Sequence, residues 1–139
     1  MKKHALSILA YVAASFAVQA LSHFVLFAGH YAAIGFARHD PIFALGIGSM
    51  LIQGTMISLM FARTDWAGTT LGRAVVFSLM CGAILVSYEG MAEAAKYAVP
   101  DIAAWIGVET LSGAVQFALA GIGLGLAHGA RIRSRSVLL

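Results

Sequence analysis

The feature that most constrains this chain is a series of four long apolar segments separated by short polar stretches. They run over about residues 5–30, 42–62, 74–99 and 102–127. Each is long enough to meet the requirement of roughly 20 apolar residues for a helix that crosses a bilayer. A soluble domain of 139 residues has too little interior to bury so much apolar surface. The pattern therefore predicts an all-α integral membrane protein folded as an antiparallel four-helix bundle.

The charged residues support a lipid bilayer as the partner and exclude nucleic acid. Only 11% of the residues are charged, whereas 60% are hydrophobic, and soluble domains carry about 25% charged residues. The net charge of +3 could suggest a polyanionic partner. However, the basic residues lie at the ends of the apolar segments and form no stripe with interleaved aromatic residues.

The lysines and arginines are distributed unequally between the two ends of the segments. Because cytoplasmic loops are enriched in these residues, the richer side is predicted to face the cytoplasm. That orientation places both termini, including the basic tail at residues 130–139, in the cytoplasm, and it agrees with an even number of spans. The richer side carries Lys2, Lys3, Arg63, Arg73, Arg131, Arg133 and Arg135, and the other side carries Arg38 and Lys96.

The first segment permits a second interpretation. Two lysines, an apolar stretch and the small-residue motif Val18-Gln19-Ala20 also resemble a cleavable secretory signal. The apolar run continues well beyond Ala20, which favours an uncleaved span. This span is longer than the membrane requires, so we expect it to tilt, project beyond the bilayer or break near Gly29.

Polar side chains recur on one face of each segment, because residues three, four or seven apart share a helix face. Such groups are costly in lipid and usually face other helices or a wet cavity. From the helical rise, the three glutamines are expected near the centre of the bilayer and three ionisable residues roughly 4–8 Å outward. The glutamines are Gln19, Gln53 and Gln116, and the outer-half cluster is His23, Glu89 and Glu109, with Glu93 and His30 still farther out.

The outer-half cluster suggests binding of a proton, a metal ion or a small polar group. Imidazole and carboxylate groups bind first-row metals, but the Glu-x-x-His pair of di-iron bundles is absent from the sequence. Purely structural roles are also open: the glutamines can hydrogen-bond between helices, and Glu93 with Lys96 fits an ordinary helical ion pair. His30 also fits a hydrated interfacial residue, and no cofactor is identified.

Three functions remain as hypotheses. The first is a transport or ligand-binding protein that uses the outer-half cluster. The second is a membrane enzyme that uses Glu and His as acid and base on a lipid-soluble substrate, in a lipid-accessible gap lined by the cluster and Tyr88. The third is an accessory subunit of a larger membrane complex, in which the polar groups serve packing alone.

The last segment carries Gly121, Gly125 and Gly129 at a spacing of four. Small residues at this spacing form a ridge on which another helix can approach closely. The partner is expected to be a helix of the same chain, the same face of a second copy in a homodimer, or another membrane subunit.

Two short stretches carry a family resemblance. Leu21-Ser22-His23-Phe24, and especially residues 108–117 (VETLSGAVQF) leading into the glycine ridge, resemble small bacterial four-span membrane proteins of the domain-of-unknown-function type. The resemblance covers the overall layout and the fourth segment best. It implies a four-span fold in a bacterial inner membrane, and it implies no activity and no catalytic residue.

Overall fold

The computed structural model describes residues 1–35, 38 and 40–129, and every regular element in these ranges is helical. The predicted basic tail at 130–139 lies outside the described residues. Helix α1 spans Lys2–Leu21, is followed by a π-helical segment at Ser22–Leu26, and gives way to the short helix α2 at Ala28–Ala32. Then come α3 (Phe43–Phe61), α4 (Thr70–Ser87), a second π-helical segment (Tyr88–Ala92) and α5 (Ile102–Gly129).

Four of the helical stretches in these ranges are long and apolar enough to cross a membrane. They are Lys2–Leu26, Phe43–Phe61, Thr70–Ala92 and Ile102–Gly129. The prediction of an all-helical chain with four long apolar helices is therefore confirmed, and these four stretches are called spans one to four below. Their length and composition indicate a membrane protein.

Two spans end earlier than the sequence predicted, each in a π-helical turn. In span one the helix breaks at Phe27, two residues before the expected position, where the amide of Phe27 bonds to the Ser22 carbonyl at 2.9 Å. In span three the helix ends at Ala92 and not near residue 99. The indole of Trp105 donates to the Glu89 carbonyl (3.0 Å). The Glu93 amide, which would bond to that carbonyl in an α-helix, bonds to Tyr88 (3.0 Å).

Glycines allow α5 to pack closely against two neighbouring helices. A Cβ atom on Gly121 would lie 2.7 Å from the Cα of Val75, and one on Gly125 would lie 2.8 Å from the Cα of Leu71. These contacts place α4 directly against the predicted ridge. Gly129, the third glycine of the ridge, makes no such close contact, because the nearest atom to its Cβ position is a side-chain carbon of Thr70 at 3.9 Å.

The opposite face of α5 contacts α1. A Cβ atom on Gly123 would lie 2.5 Å from the Cβ of Ala10. Helix α3 packs on α1 in a similar way, since Gly54 leaves room for the ring of the buried Tyr11. Helix α5 thus lies between α1 and α4, and α1 lies between α5 and α3. The predicted ridge is used inside the chain at Gly121 and Gly125.

Small hydroxyl side chains lie inside the bundle. Ser15, Ser58 and Ser78 are fully buried, and Ser78 donates a hydrogen bond to the Phe117 carbonyl across the contact between α4 and α5 (2.7 Å). Seryl groups that bond to nearby carbonyls satisfy their own polarity without water. The described interior is therefore partly polar, and Ser15 and Ser78 lie on faces that the sequence predicted to be polar.

Candidate functional site

A cavity of about 840 Å³ opens between the later part of α1, the first half of α3 and the first half of α5. Its volume lies within the range of small-molecule sites in proteins. All four spans contribute to its wall, and apolar side chains make up much of the lining. The polar and charged lining residues are Gln19, His23, Tyr31, Arg38, Ser49, Gln53, Glu89, Glu93, Trp105, Glu109 and Gln116.

The three predicted central glutamines all line this cavity. Gln19 donates a hydrogen bond to the side-chain oxygen of Gln116 (2.8 Å), which joins α1 to α5. Gln53 accepts a hydrogen bond from the hydroxyl of Tyr11 (2.6 Å) and donates one to Ser49 (3.1 Å). The glutamines therefore bond across helices and also present polar atoms to the cavity.

Tyr31 and Glu109 form a polar contact in the wall of the cavity. The Tyr31 hydroxyl donates to Glu109 Oε1 at 2.8 Å, and the Glu109 side chain is only 6% exposed. Burial and the adjacent Glu109 carboxylate raise the pKa of Tyr31 above its usual value. Tyr31 therefore stays protonated near neutral pH and remains a donor. The other carboxylate oxygen of Glu109 has no hydrogen-bond partner within the described ranges.

His23 lies beside this pair. Its ring stacks on the ring of Tyr31, with centroids 3.7 Å apart and planes at 13°. Its Nδ1 lies 3.0 Å from the carbonyl oxygen of Gln19, so this nitrogen is the protonated one. The stack is possible because the break at Phe27 turns α2 back toward span one.

Glu89 and Glu93 complete the acidic part of the lining. Neither carboxylate accepts a hydrogen bond from any residue that the structure describes. Burial and the Glu109 carboxylate raise the pKa of Glu93, whereas Lys96 opposes that shift. The predicted ion pair between Glu93 and Lys96 is not formed, because the Lys96 ammonium group donates to the hydroxyl of Tyr88 (3.1 Å).

Two predicted site residues do not line the cavity. Tyr88, predicted to reach the cluster, is 54% exposed, and Lys96 lies over its ring at 4.7 Å. Its neighbour Glu89, the next residue of the π-helical segment, lines the cavity. His30 stacks on Trp105 (centroids 5.8 Å apart) behind the lining, and its buried Nε2 has no partner among the described residues.

The metal interpretation gains no support from the geometry. Within residues 1–35, 38 and 40–129, no three or more His, Cys, Asp or Glu side chains are grouped so that they could hold a metal ion. His23, Glu89 and Glu109 border one cavity without forming such a group.

The sequence pattern missed the aromatic side chains of the site. Phe43 packs against Phe16 and Phe24, with ring centroids 6.3 and 6.5 Å apart, and all three line the cavity. The only signal in the sequence was that Tyr31 follows His23 by eight residues. A helix break between these two residues brings their rings together.

A second polar contact, also missed, joins three helices near the chain termini. The Nδ1 of His4 lies 2.9 Å from the hydroxyl of the buried Ser58, and the Nε2 of His128 lies 3.4 Å from the same hydroxyl. Both histidines are outside the predicted polar stripes. Neither lines the large cavity.

Comparison with known proteins adds no assignment. No family model matches the chain, and neither a curated protein nor a solved structure matches it. The resemblance to small bacterial four-span proteins therefore stays a prediction. The function has to be argued from the cavity alone.

Proposed function

We propose that this chain is an integral membrane protein that binds a small, partly polar ligand in its cavity, as a binding or transport protein. The four spans alternate in direction as an antiparallel bundle. Both termini face the cytoplasm of a bacterial cell, so the cavity lies in the outer half of the inner membrane. The charge bias between the two sides supports this orientation.

The observation that carries the proposal is one cavity of about 840 Å³ that all four spans line and that contains the buried carboxylate of Glu109. Burying a carboxylate is costly unless it is paired or hydrogen-bonded, and ionisable residues that persist among membrane helices despite this cost usually mark functional sites. Packing alone would have favoured a closed bundle. An open cavity with convergent polar groups is the usual form of a ligand site.

The enzyme hypothesis is less well supported. It required Tyr88 beside the cluster, and Tyr88 faces away from the cavity. Binding and release need only the cavity and its polar groups. The accessory-subunit hypothesis required polar groups that serve packing alone, whereas Glu89 and Glu93 have no packing partner for their carboxylates among the described residues.

The proposal predicts that water-soluble reagents enter the cavity from outside the cell. The native thiol Cys81 is first replaced, as Cys81→Ala, to give a background without cysteine. In that background we expect the Ser49→Cys variant to react with a small neutral thiol reagent in intact cells, because Ser49 lines the cavity. The labelled fraction is measured by mass spectrometry of the purified protein.

The matched control is the Ile52→Cys variant. Ile52 lies one turn along the same helix, is 68% exposed and does not line the cavity, so it is expected to face lipid and to react at least about tenfold more slowly. Equal rates at the two positions, or labelling of neither, would show that the cavity does not connect to water. The proposed ligand site would then be untenable.

A further inference from the structure

The charge balance of the cavity is strongly one-sided. The carboxylates of Glu89, Glu93 and Glu109 line it. Glu89 belongs to span three, Glu109 to span four, and Glu93 to the segment that follows span three. Of the described residues, Arg38 alone brings a guanidinium to the lining, and its side chain is exposed. Lys96, the nearest ammonium group in sequence, is held outside by Tyr88. Among the described lining residues, three carboxylates are thus matched by one guanidinium.

The same cavity is lined by aromatic rings on two sides. Phe16, Phe24 and Phe43 form one side, and Tyr31 and Trp105 contribute rings near Glu109. Tyr31 and Trp105 are in contact, with ring centroids 6.3 Å apart. The face of an aromatic ring attracts a cation, and carboxylates beside such rings favour large organic cations over small hydrated ions.

Glu109 leaves one carboxylate oxygen without a hydrogen bond from any described residue. Glu109 is more than nine-tenths buried, and only its Oε1 has a donor, the Tyr31 hydroxyl. The second oxygen belongs to a cavity-lining side chain and has no hydrogen-bond partner in the described part of the chain. A carboxylate on a mostly buried side chain is stabilised by a charge-assisted hydrogen bond or by a nearby positive charge. A cationic ligand in the cavity would supply that charge.

We infer that the ligand is a bulky organic cation, a lipophilic ammonium or a similar compound, held between the aromatic rings and the three carboxylates. This inference rests on the proposed ligand-binding function and adds the chemical class of the ligand. Size and charge favour this class: the volume is far larger than a metal ion needs, and no group of described residues is suited to hold one.

The test uses two ions of the same shape and opposite charge, tetraphenylphosphonium and tetraphenylborate. Their binding to the purified protein in detergent is measured by equilibrium dialysis. We expect saturable binding of tetraphenylphosphonium. The triple variant Glu89→Gln, Glu93→Gln, Glu109→Gln keeps the size of the side chains and removes their charge. It is expected to bind this cation at least about tenfold more weakly, which corresponds to about 1.4 kcal/mol.

Tetraphenylborate controls for partition into the detergent, and its binding is expected to be non-saturable in both proteins. The single variant Asp101→Asn, in the exposed segment before α5, removes a carboxylate outside the cavity and should leave the cation affinity unchanged. Equal cation affinity in the triple variant and the native chain would overturn the inference, as would saturable binding of the anion alone.

The failure of this inference can be told from the failure of the proposed function. If the Ser49→Cys variant is labelled from outside but tetraphenylphosphonium does not bind, the cavity is a ligand site for another class of compound. If neither result is obtained, both the cation and the ligand site are excluded. Circular dichroism and gel filtration of the triple variant show whether it has folded, and the single Glu93→Gln variant replaces it if it has not.

Discussion

Replacing Gly46 with phenylalanine is expected to close the cavity without disturbing the helices. Gly46 lines the cavity on α3, and nothing lies within 4 Å of the position of its Cβ. A phenylalanine ring therefore enters open space next to Ser49, three residues away on the same helix face. We expect labelling of the Ser49→Cys variant to slow by at least about tenfold and tetraphenylphosphonium binding to be lost.

The chain offers a matched control for this variant two residues away. Gly48 also has nothing within 4 Å of its Cβ position, but it does not line the cavity. The Gly48→Phe variant should bind and react like the native protein, although both variants change a helical glycine to the same residue. Equal loss in the two variants would mean that α3 is disturbed in general and that no specific cavity is being filled.

The second large effect is expected at the contact between α4 and α5. In the Gly121→Leu variant the new Cβ would lie 2.7 Å from the backbone Cα of Val75, a distance that side chains do not tolerate. The helices must then move apart, because no rotamer change can relieve a clash with backbone. We expect the free energy of unfolding in detergent to fall by about 3 kcal/mol.

The Gly129→Leu variant is the control for helix composition and added volume. The atom nearest to its Cβ position is a side-chain carbon of Thr70 at 3.9 Å, so the addition fits with little change. Both proteins are unfolded by a denaturing detergent and followed by circular dichroism. Similar midpoints for the two variants would contradict the close packing of α4 on α5 at Gly121.

The sequence could predict the four spans because hydrophobicity over about 20 residues is a property of composition alone. It could also predict the polar faces, since the period of 3.6 residues holds within each α-helix. This is how Gln19 and Gln116 could be assigned to facing sides of two spans, where they form a hydrogen bond.

The same reasoning failed where the helices depart from that period. The π-helical turns at Ser22–Leu26 and Tyr88–Ala92 have no clear sequence signature, and they include His23, Tyr88 and Glu89. The bond from Trp105 to the Glu89 carbonyl, which accompanies the early end of span three, joins residues sixteen positions apart. A periodic pattern carries no information about such a contact, so the aromatic lining and the outward turn of Tyr88 could not be predicted.

The central claim is that carboxylates from separate spans share one water-accessible cavity. Its most direct measurement compares the labelling rates of a cationic and an anionic methanethiosulfonate at the Ser49→Cys variant. The reference is the Ala98→Cys variant in the exposed segment between spans three and four, and both are made with Cys81→Ala. We expect the ratio of the cation rate to the anion rate to be at least about tenfold higher at position 49. Replacing the three glutamates by glutamine should remove that difference, and an equal ratio at the two positions in the native chain would contradict the claim.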